Sequence, residues 1–474
     1  MNAPAVKSRL PAVLHTPDGS RRVDYRAVVG IAWPLFVQFG VQAFLNVVDT
    51  WFVGRLGSAP IAGMNAVNFS SFTLLLLFGG SGIAVQTIAA QRYGEGRKAR
   101  AAQASWHGIY SGLIVAPLGV AVALAGPAIF SFFALPPEVV ASASDYWLPR
   151  MAGAGLVVVY FSLGNFFNGV GRTRVSLMGA VLTFLCNVVL NWLFILELGW
   201  GMYGAGLATS ISVGAGVLFY AVIFFSRHIR SEYATTRMWR LRPRILGAVY
   251  KLGVPIGIHA MFDVGAFAAF QLMVGKLGAV PGAATQIAMI LTSLAFLPVA
   301  GLNFAAATLV GQSIGAGDKD WADRVGTACI KLALCYMAVW ALLFATAGGA
   351  LSSIFVTASD PNAQAVVELS ATLLLIAAGY QLFDALNLGT LGCLRGSGDV
   401  VVPTAALLVL AWCIFVPLSH ILIFEPGQGW FDFLPAYGLG AKGGWIAALV
   451  HITLLGSFLL YRWKSGAWRK LKSA

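Results

Sequence analysis

Long apolar runs constrain this chain more than any other feature of its sequence. A helix needs about 20 apolar residues to cross a bilayer, and twelve runs of roughly that length or longer follow one another along the 474 residues. They cover residues 29–53, 61–88, 103–125, 139–168, 173–196, 202–225, 246–274, 282–311, 325–349, 364–393, 400–424 and 441–461. Only 10% of the residues are charged, against about a quarter in soluble proteins. The sequence therefore predicts an all-α polytopic membrane protein with twelve transmembrane helices.

The positive charges predict the orientation of the chain. The net charge is +13, but 25 of the 31 Lys and Arg residues fall in the two tails and in alternate loops between the runs. Such segments face the cytoplasm under the positive-inside rule. We therefore expect a multi-pass protein of the plasma membrane (a bacterial inner membrane), with both termini cytoplasmic and with no nucleic-acid partner.

The chain is an internal duplication. Aligned with itself 221 residues later, Pro34 falls on Pro255, GRLG (54–57) on GKLG (275–278) and QRYGEGRK (91–98) on QSIGAGDK (312–319). Further along, NGVGRTR meets RGSGDVV at an offset of 227, and GAGLA meets GGWIA at 239. Because each half has an even number of spans, both halves enter the membrane from the same side. Transporters built from such parallel repeats bind substrate between the halves.

The duplication predicts the domain organisation. A cytoplasmic tail (1–26) precedes an N-terminal six-helix lobe (27–226), and a basic linker (227–244) leads to a C-terminal six-helix lobe (245–462) and a cytoplasmic tail (463–474). The Arg-rich linker is most simply a topology signal, and binding of anionic lipid headgroups is a second interpretation. Since duplication removes the need for a dimer, we predict a monomer.

Three acidic residues fall within the predicted spans: Asp49, Asp263 and Asp384. A charge at the centre of a bilayer costs about 2.5–3.5 kcal/mol on insertion scales, so a carboxylate there suggests a function. No Lys or Arg lies nearby in sequence to neutralise them, and we place Arg150 near a helix end rather than in the middle of a span. We expect the three carboxylates to bind protons or cations during function.

Polar residues share the helical faces of these acids. They recur at helical spacing and comprise Gln38, Gln42 and Asn46 before Asp49, Tyr380 and Asn387 around Asp384, and Asn187 and Asn191 on the fifth span. The amides either line a cavity or hydrogen-bond neighbouring helices, which contributes about 0.6 kcal/mol on average. His259 lies four residues before Asp263, on the same face. It either relays protons with Asp263 or, as we favour, is an interfacial histidine near the helix start.

Nothing in the sequence demands a cofactor or indicates an enzyme. No His-Glu-x-x-His, P-loop or kinase pattern occurs, so uphill transport would have to draw on an ion gradient. GGSG (79–82) contains the Gly-x-Ser-Gly pattern of intramembrane serine proteases, but short motifs match often by chance. Glycines in spanning helices are more often close-packing sites, and we favour that interpretation.

Several of these segments together resemble the multidrug and toxic compound extrusion (MATE) family of cation-coupled exporters. The resemblance runs from about Pro34 to the last span and depends on VDTWFVGRLG, VGQSIGAGD, CNVVLNWLF and LRGSGDVVVP. It implies two six-helix lobes in a V around a central cavity. It also implies antiport of small organic cations against sodium ions or protons across the lipid bilayer.

The resemblance assigns roles to individual residues. It places Asp49, Asn187, Asn191 and Thr209 in an N-lobe site. It makes Tyr380 and Asp384 members of a C-lobe cation site, with Asp263 where the NorM-type branch has a longer glutamate, so that these three would bind sodium. Asn191 stands where the DinF-type branch has an aspartate, which favours the NorM-type branch.

A lipid-linked oligosaccharide flippase of the same superfamily is the main alternative function. Such a protein would need arginines in its cavity, because guanidinium groups suit the pyrophosphate of the substrate. We expect no Lys or Arg in the middle of a span, which argues against this alternative.

Overall fold

The computed structural model describes residues 10–132, 136–356, 361–431 and 433–471, most of which are helical. A short antiparallel hairpin, β1 (Val13–His15) and β2 (Arg21–Val23), precedes the first helix. The helices are α1 Tyr25–Gly54, α2 Ser58–Gly94, α3 Lys98–Leu124, α4 Gly126–Phe132, α5 Pro137–Ala152, α6 Ala154–Gly169, α7 Thr173–Asn191, α8 Gly201–Phe225, α9 Arg227–Tyr233, α10 Pro243–Gly275, α11 Ala279–Gly315, α12 Lys319–Ser353, α13 Ala363–Ser397, α14 Val401–Leu408, α15 Val416–Ile423 and α16 Gly440–Lys464. Two π-helical turns, Trp192–Glu197 and Val409–Phe415, extend α7 and join α14 to α15.

Within the described ranges, eleven helical segments are long and apolar enough to cross a membrane, and a twelfth follows if α5 and α6 form one bent span. These two helices meet at 48° on either side of Gly153. Pro149 lies in the last turn of α5 and has no N–H to donate to the preceding turn, which weakens the helix just before the bend. Each of the twelve apolar runs falls on one of these segments, so the predicted fold class is confirmed.

The duplication is also visible in the backbone. Gly96 and Gly317, which the offset of 221 aligns, adopt φ of 74° and 82°. Gly171 and Gly398, aligned by the offset of 227, adopt φ of 80° and 87°. Glycine accepts these left-handed conformations at little cost, so each repeat ends corresponding helices with the same turn.

The first and last described residues of the chain lie on one side of the molecule, where α1 begins and α16 ends; we call it the terminal side. Arg21 forms a 2.8 Å ion pair with Asp318, and Arg469 forms a 2.6 Å ion pair with Asp320. Both acids belong to the cap or first turn of α12. The hairpin therefore gives the described part of the N-terminal tail a defined structure, which the sequence analysis did not predict.

The two lobes share their hydrophobic core on the terminal side. Leu35 of α1 packs in the core of the C-terminal lobe, and Leu252 and Ile256 of α10 pack in a core of the N-terminal lobe. On the opposite side, the core around Phe52 and Trp147 contains only residues of the N-terminal lobe among those described. The lobes are thus joined on the terminal side.

Candidate functional site

Asp49 belongs to a hydrogen-bonded cluster inside the N-terminal lobe. Its side chain is 7% exposed, and its carboxylate accepts a 2.5 Å hydrogen bond from the Asn191 amide. The same Asn191 amide donates to the Asn187 carbonyl oxygen at 3.0 Å, and Asn187 donates to Thr209 at 3.5 Å. Asn191 is the last α-helical residue of α7 before its π-helical turn. The structure thus brings together the four residues that the family resemblance assigned to an N-lobe site.

Arg150 lies beside this cluster, near the end of α5 as we placed it, but this helix end is the bend between α5 and α6. It is the fourteenth residue of α5, deep in the bent span formed by α5 and α6. Its guanidinium donates a 2.6 Å hydrogen bond to the Tyr146 hydroxyl and interacts electrostatically with Asp49. The predicted run 139–168 includes both helices, but the sequence did not reveal the bend that places the end of α5 inside this run. The i, i+4 spacing of Tyr146 and Arg150 was the available signal.

The C-terminal lobe contains the other two acids, on α10 and α13. Asp263 and Asp384 are half-buried and close enough for their charges to interact. Asp384 also interacts with Asn387 and with Tyr380, whose ring stacks on Trp445 at a centroid distance of 6.3 Å. The predicted C-lobe residues are therefore neighbours. Within the described ranges no third His, Cys, Asp or Glu joins the two carboxylates as a possible metal ligand.

His259 occupies the middle of α10, so our favoured interpretation of an interfacial histidine near the helix start is wrong. It is seventeenth of the 33 residues in Pro243–Gly275. The Nδ1 atom is buried without a hydrogen-bond partner among the described residues, and the ring interacts electrostatically with Arg395. The apolar run 246–274 predicted the span correctly and already placed His259 near its middle, so the favoured interpretation did not follow from the run.

The amides on α1 differ in their surroundings. Gln38 is half-buried, and its Oε1 atom has no hydrogen-bond partner in the described part of the chain. Gln42 and Asn46 are exposed. Only Asp49, nearer the end of α1, is held by another helix through the bond from Asn191.

A symmetric set of hydrogen bonds closes the terminal side between the lobes. Its four bonds join side-chain donors of α2 or α11 to carbonyl oxygens at or next to the ends of α13 or α6. Gln91 donates to Gly396 (3.0 Å) and Gln312 to Gly169 (2.9 Å), while Thr87 donates to Arg395 (2.9 Å) and Thr308 to Asn168 (3.0 Å). The offsets of 221 and 227 relate the two bonds of each pair. We call these four bonds the interlobe clasp.

One feature of the clasp region breaks the symmetry. The Gln86 amide donates to the Phe304 carbonyl and to Thr308, at 2.8 and 2.9 Å, and its Oε1 accepts from Arg395 at 3.4 Å. The Arg395 guanidinium is 8% exposed and lies 4.1 Å from the centre of the Phe304 ring. Arg395 is thus a buried arginine in the last turn of α13, and the sequence analysis did not predict its burial.

Glycines let the lobes approach closely at the GGSG stretch. A Cβ on Gly253 of α10 would lie 2.5 Å from the Cα of Ser81, and one on Gly80 would collide with the carbonyl of Gly253. The Ser81 hydroxyl donates to the carbonyl of Phe78 within its own helix. Gly80 and Ser81 therefore contact α10, whereas a Cβ on Gly79 or Gly82 would collide with Phe161 of α6. Close packing on two helices accounts for the glycines of the stretch.

Comparison with known sequences gives a match over both halves. A family described as MatE matches residues 34–193 and 255–421, and the two matches start at the prolines that the internal repeat aligns. A protein of Mesorhizobium japonicum described as “Probable multidrug resistance protein NorM” is 29% identical, over 96% of this chain and 97% of its own. A protein of Pseudomonas putida with the same description is 28% identical, over 86% and 89%.

Solved structures share the architecture. One, described as the outward-facing conformation of a multidrug resistance MATE family transporter of the MOP superfamily, superposes with a TM-score of 0.81 at 21% identity, over 94% of this chain and 96% of the other. A MOP superfamily transporter from Pyrococcus furiosus, described as having a binding pocket of reverse polarity, gives 0.80 at 20% identity over the same shares. At these identities the likeness shows the two-lobed fold alone.

Proposed function

The chain belongs to the MatE family of multidrug efflux transporters, and we propose that it exports organic cations in exchange for sodium ions or protons. The observation that carries the proposal is the position of the acids. Asp49 is buried in one lobe, and Asp263 and Asp384 lie together in the other. Carboxylates within a membrane protein mark ion and substrate pathways, because their desolvation has to be offset by a partner.

The C-terminal lobe would bind the coupling ion. Two neighbouring carboxylates cannot both remain ionised at low cost, because like charges at short range oppose ionisation. A proton or a sodium ion would relieve this repulsion, and Tyr380 would supply a further oxygen ligand for sodium. The shorter side chain of Asp263, where the NorM-type branch has a glutamate, favours a small ligand set completed by water.

An organic cation would compete with the coupling ion for the same negative charge. Aromatic rings attract cations through their faces, and the stacked pair of Tyr380 and Trp445 adjoins Asp384. Loss of the cation to the outside would accompany entry of the ion. The gradient supplies about 2.3 kcal/mol per charge per 100 mV, and about 1.4 kcal/mol corresponds to tenfold accumulation.

Alternating access would require the interlobe clasp to open and close. With the terminal side in the cytoplasm, as the positive-inside rule predicts, the described conformation is closed to the cytoplasm. Opening would break the four bonds of the clasp and expose the cleft to cytoplasmic drug. The pairing of the bonds by the internal repeat supports a movement in which the lobes rock about a common axis.

The family match, rather than the distribution of charge, is now the argument against a flippase. Arg150 and Arg395 lie in the last turns of α5 and α13, and the Nε atom of each is buried, so positive charge is present inside the protein. Neither arginine contacts the acids directly: the shortest bonds of the two go to Tyr146 and to Gln86. We therefore retain cation export as the function that the acids support best.

Transport in proteoliposomes tests the proposal. Uphill efflux of a fluorescent organic cation is measured under separately imposed sodium and proton gradients, for the wild type, Asp49→Asn and Asp384→Asn. We expect one gradient to drive transport in the wild type, and each substitution to abolish accumulation. Glu138→Gln, which removes an exposed acid at the start of α5, is the matched control and should transport normally. Unchanged uphill transport in both aspartate variants would refute the carboxylate mechanism.

A further inference from the structure

We propose that Arg150 is an internal counter-cation for Asp49, which it neutralises whenever no transported cation is bound there. The inference rests on the proposed function, since it concerns how the N-lobe acid binds a cation. A cationic substrate would then displace the tethered guanidinium from Asp49 rather than compete with an external ion. Arg150 would act through Asp49, as a residue that sets the affinity of the site.

A continuous polar chain connects the two charges. Arg150 donates to the Tyr146 hydroxyl at 2.6 Å, and Tyr146 interacts with Thr209. Thr209 accepts from Asn187, whose carbonyl oxygen accepts from the Asn191 amide that holds Asp49. Every member of this chain lies within the N-terminal lobe. The guanidinium and the carboxylate therefore belong to one site, although they do not touch in this conformation.

The guanidinium is incompletely satisfied where it stands. The Nε atom of Arg150 is buried without a hydrogen-bond partner among the described residues. The same holds for Oδ1 of Asn191, at the other end of this series of hydrogen bonds. The described ion pairs of the protein do not include Arg150. Instead the charge lies 5.1 Å from the centre of the Tyr146 ring. Because buried charges are normally paired, movement of the Arg150 guanidinium towards Asp49 would stabilise it.

The C-terminal lobe has no equivalent arrangement. Asp384 interacts electrostatically with Asp263, another acid, and no arginine or lysine in the described part of the chain interacts in this way with either carboxylate. The N-terminal lobe thus contains a positive charge that can neutralise its acid. The two acids of the C-terminal lobe would be neutralised by an ion from solution. This difference leaves the competition between coupling ion and substrate to the C-terminal lobe, and it adds in the N-terminal lobe a second cation site at which the substrate exchanges with Arg150.

Binding of an organic cation to the purified full chain tests the inference. Equilibrium binding of tetraphenylphosphonium is measured in lipid nanodiscs for the wild type, Arg150→Gln, Arg150→Lys, Asp49→Asn and the double variant Arg150→Gln/Asp49→Asn. Arg150→Gln removes the guanidinium group that competes with the organic cation for Asp49. We therefore expect the cation to bind about tenfold more tightly than in the wild type. Arg150→Lys keeps the charge and should restore binding close to that of the wild type. Arg55→Gln, a charge removed from the exposed end of α1, should have no effect.

The double variant and Tyr146→Phe separate this role from a structural one. If Arg150 acts through Asp49, Arg150→Gln has no effect on binding in the Asp49→Asn background. Tyr146→Phe frees the guanidinium from its hydrogen bond and should weaken binding, the opposite direction, so the inference remains testable even if Arg150→Gln does not fold. A folded Arg150→Gln that binds no more tightly than the wild type overturns the inference alone. A wild type that binds no organic cation overturns the proposed function and the inference with it.

Discussion

Asp49 and the Asp263–Asp384 pair place buried negative charge in two different surroundings. Asp49 is held by an amide hydrogen bond and lies in a cluster that includes an arginine. The other two acids lie on α10 and α13 and interact electrostatically with each other. Since a hydrogen bond to a charged group contributes about 1.5–3 kcal/mol, the first acid is stabilised by the protein, whereas the second pair gains most from a bound ion. The chemistry at each residue thus differs between lobes of the same ancestry.

Glu232, outside the membrane-spanning helices, joins the basic linker to the rest of the protein through hydrogen bonds. It accepts hydrogen bonds from Lys98 (2.8 Å) and Arg172 (2.6 Å). Burial raises its pKa, but the hydrogen bond from Lys98 and the positive charges of Arg172, Lys98 and His228 outweigh burial and hold the pKa below its ordinary value of 4.5. A carboxyl group with a lowered pKa contributes stability above its unfolded pKa, and this contribution disappears as the pH falls through the folded pKa.

We therefore expect Glu232→Gln to lower the free energy of unfolding at neutral pH by about 0.2–1 kcal/mol, the range for partly exposed ion pairs. At a pH below the lowered folded pKa of Glu232 the wild type has lost the same interaction, so the difference between the two proteins should vanish. Thermal unfolding in detergent at both pH values measures this. Glu368→Gln, at an exposed site on α13, is the control. A destabilisation by Glu232→Gln that is as large at low pH as at neutral pH would contradict the ion-pair explanation.

The ends of α2 and α11 explain why Gln-x-x-Gly occurs twice in the sequence. The glutamine of each helix reaches a carbonyl of the opposite lobe, at Gly396 and Gly169. The glycine one turn later lets the backbones meet, because a Cβ on Gly94 would collide with the carbonyl of Gln312 and one on Gly315 with that of Gln91. At the scale of the helix, the repeated motif is therefore a contact with its own copy.

Symmetric positions in the clasp should have equivalent energetic effects. Gln91→Leu and Gln312→Leu each leave one buried carbonyl without a donor, which costs about 1–3 kcal/mol and disfavours the conformation closed on the terminal side. Distances between spin labels across that side, measured by double electron–electron resonance, should show a larger open population in each variant and the largest in the double variant.

Gln364→Leu provides the control for this comparison, because Gln364 bonds only to Glu368 of its own helix among the described residues. It should leave the distances unchanged. If only one of the two clasp glutamines affected the open population, the lobes would not rock symmetrically.

The molecule as a whole is joined on one side and separate on the other. The interlobe clasp, the shared cores and the glycine contacts between α2 and α10 all lie towards the terminal side. Asp49 lies beyond these contacts, near the end of α1, in a lobe that has a core of its own around Phe52 and Trp147. Opening of the terminal side therefore requires movement of entire lobes, because the interface extends over several helices.

A disulfide across the terminal side should stop this movement. A Cβ on Gly311 of α11 would lie 2.9 Å from the Cβ of Ala90 of α2, and a small shift brings the pair to the spacing of about 3.5–4.5 Å that a disulfide needs. In a chain whose five native cysteines are replaced, Ala90→Cys/Gly311→Cys should lose transport on oxidation and regain it on reduction. Each single cysteine variant should transport under both conditions. Transport that persists with the disulfide formed would show that the terminal side need not open.

The sequence by itself determined the number of spans, the duplication and the three acids within the membrane, because apolar length and internal similarity are local properties of the chain. It also placed Asn187, Asn191 and Thr209 near Asp49, but only through the family resemblance. The tertiary structure decided which groups meet: Asn191 and Asp49 are 142 residues apart in the chain, and Thr87 and Arg395 are 308 apart. It also decided that Arg150 lies beside Asp49 and that His259 lies in mid-span. Such contacts depend on how helices bend, rotate and pack against one another. The spacing of residues along one helix does not show which residues of a neighbouring helix they will contact.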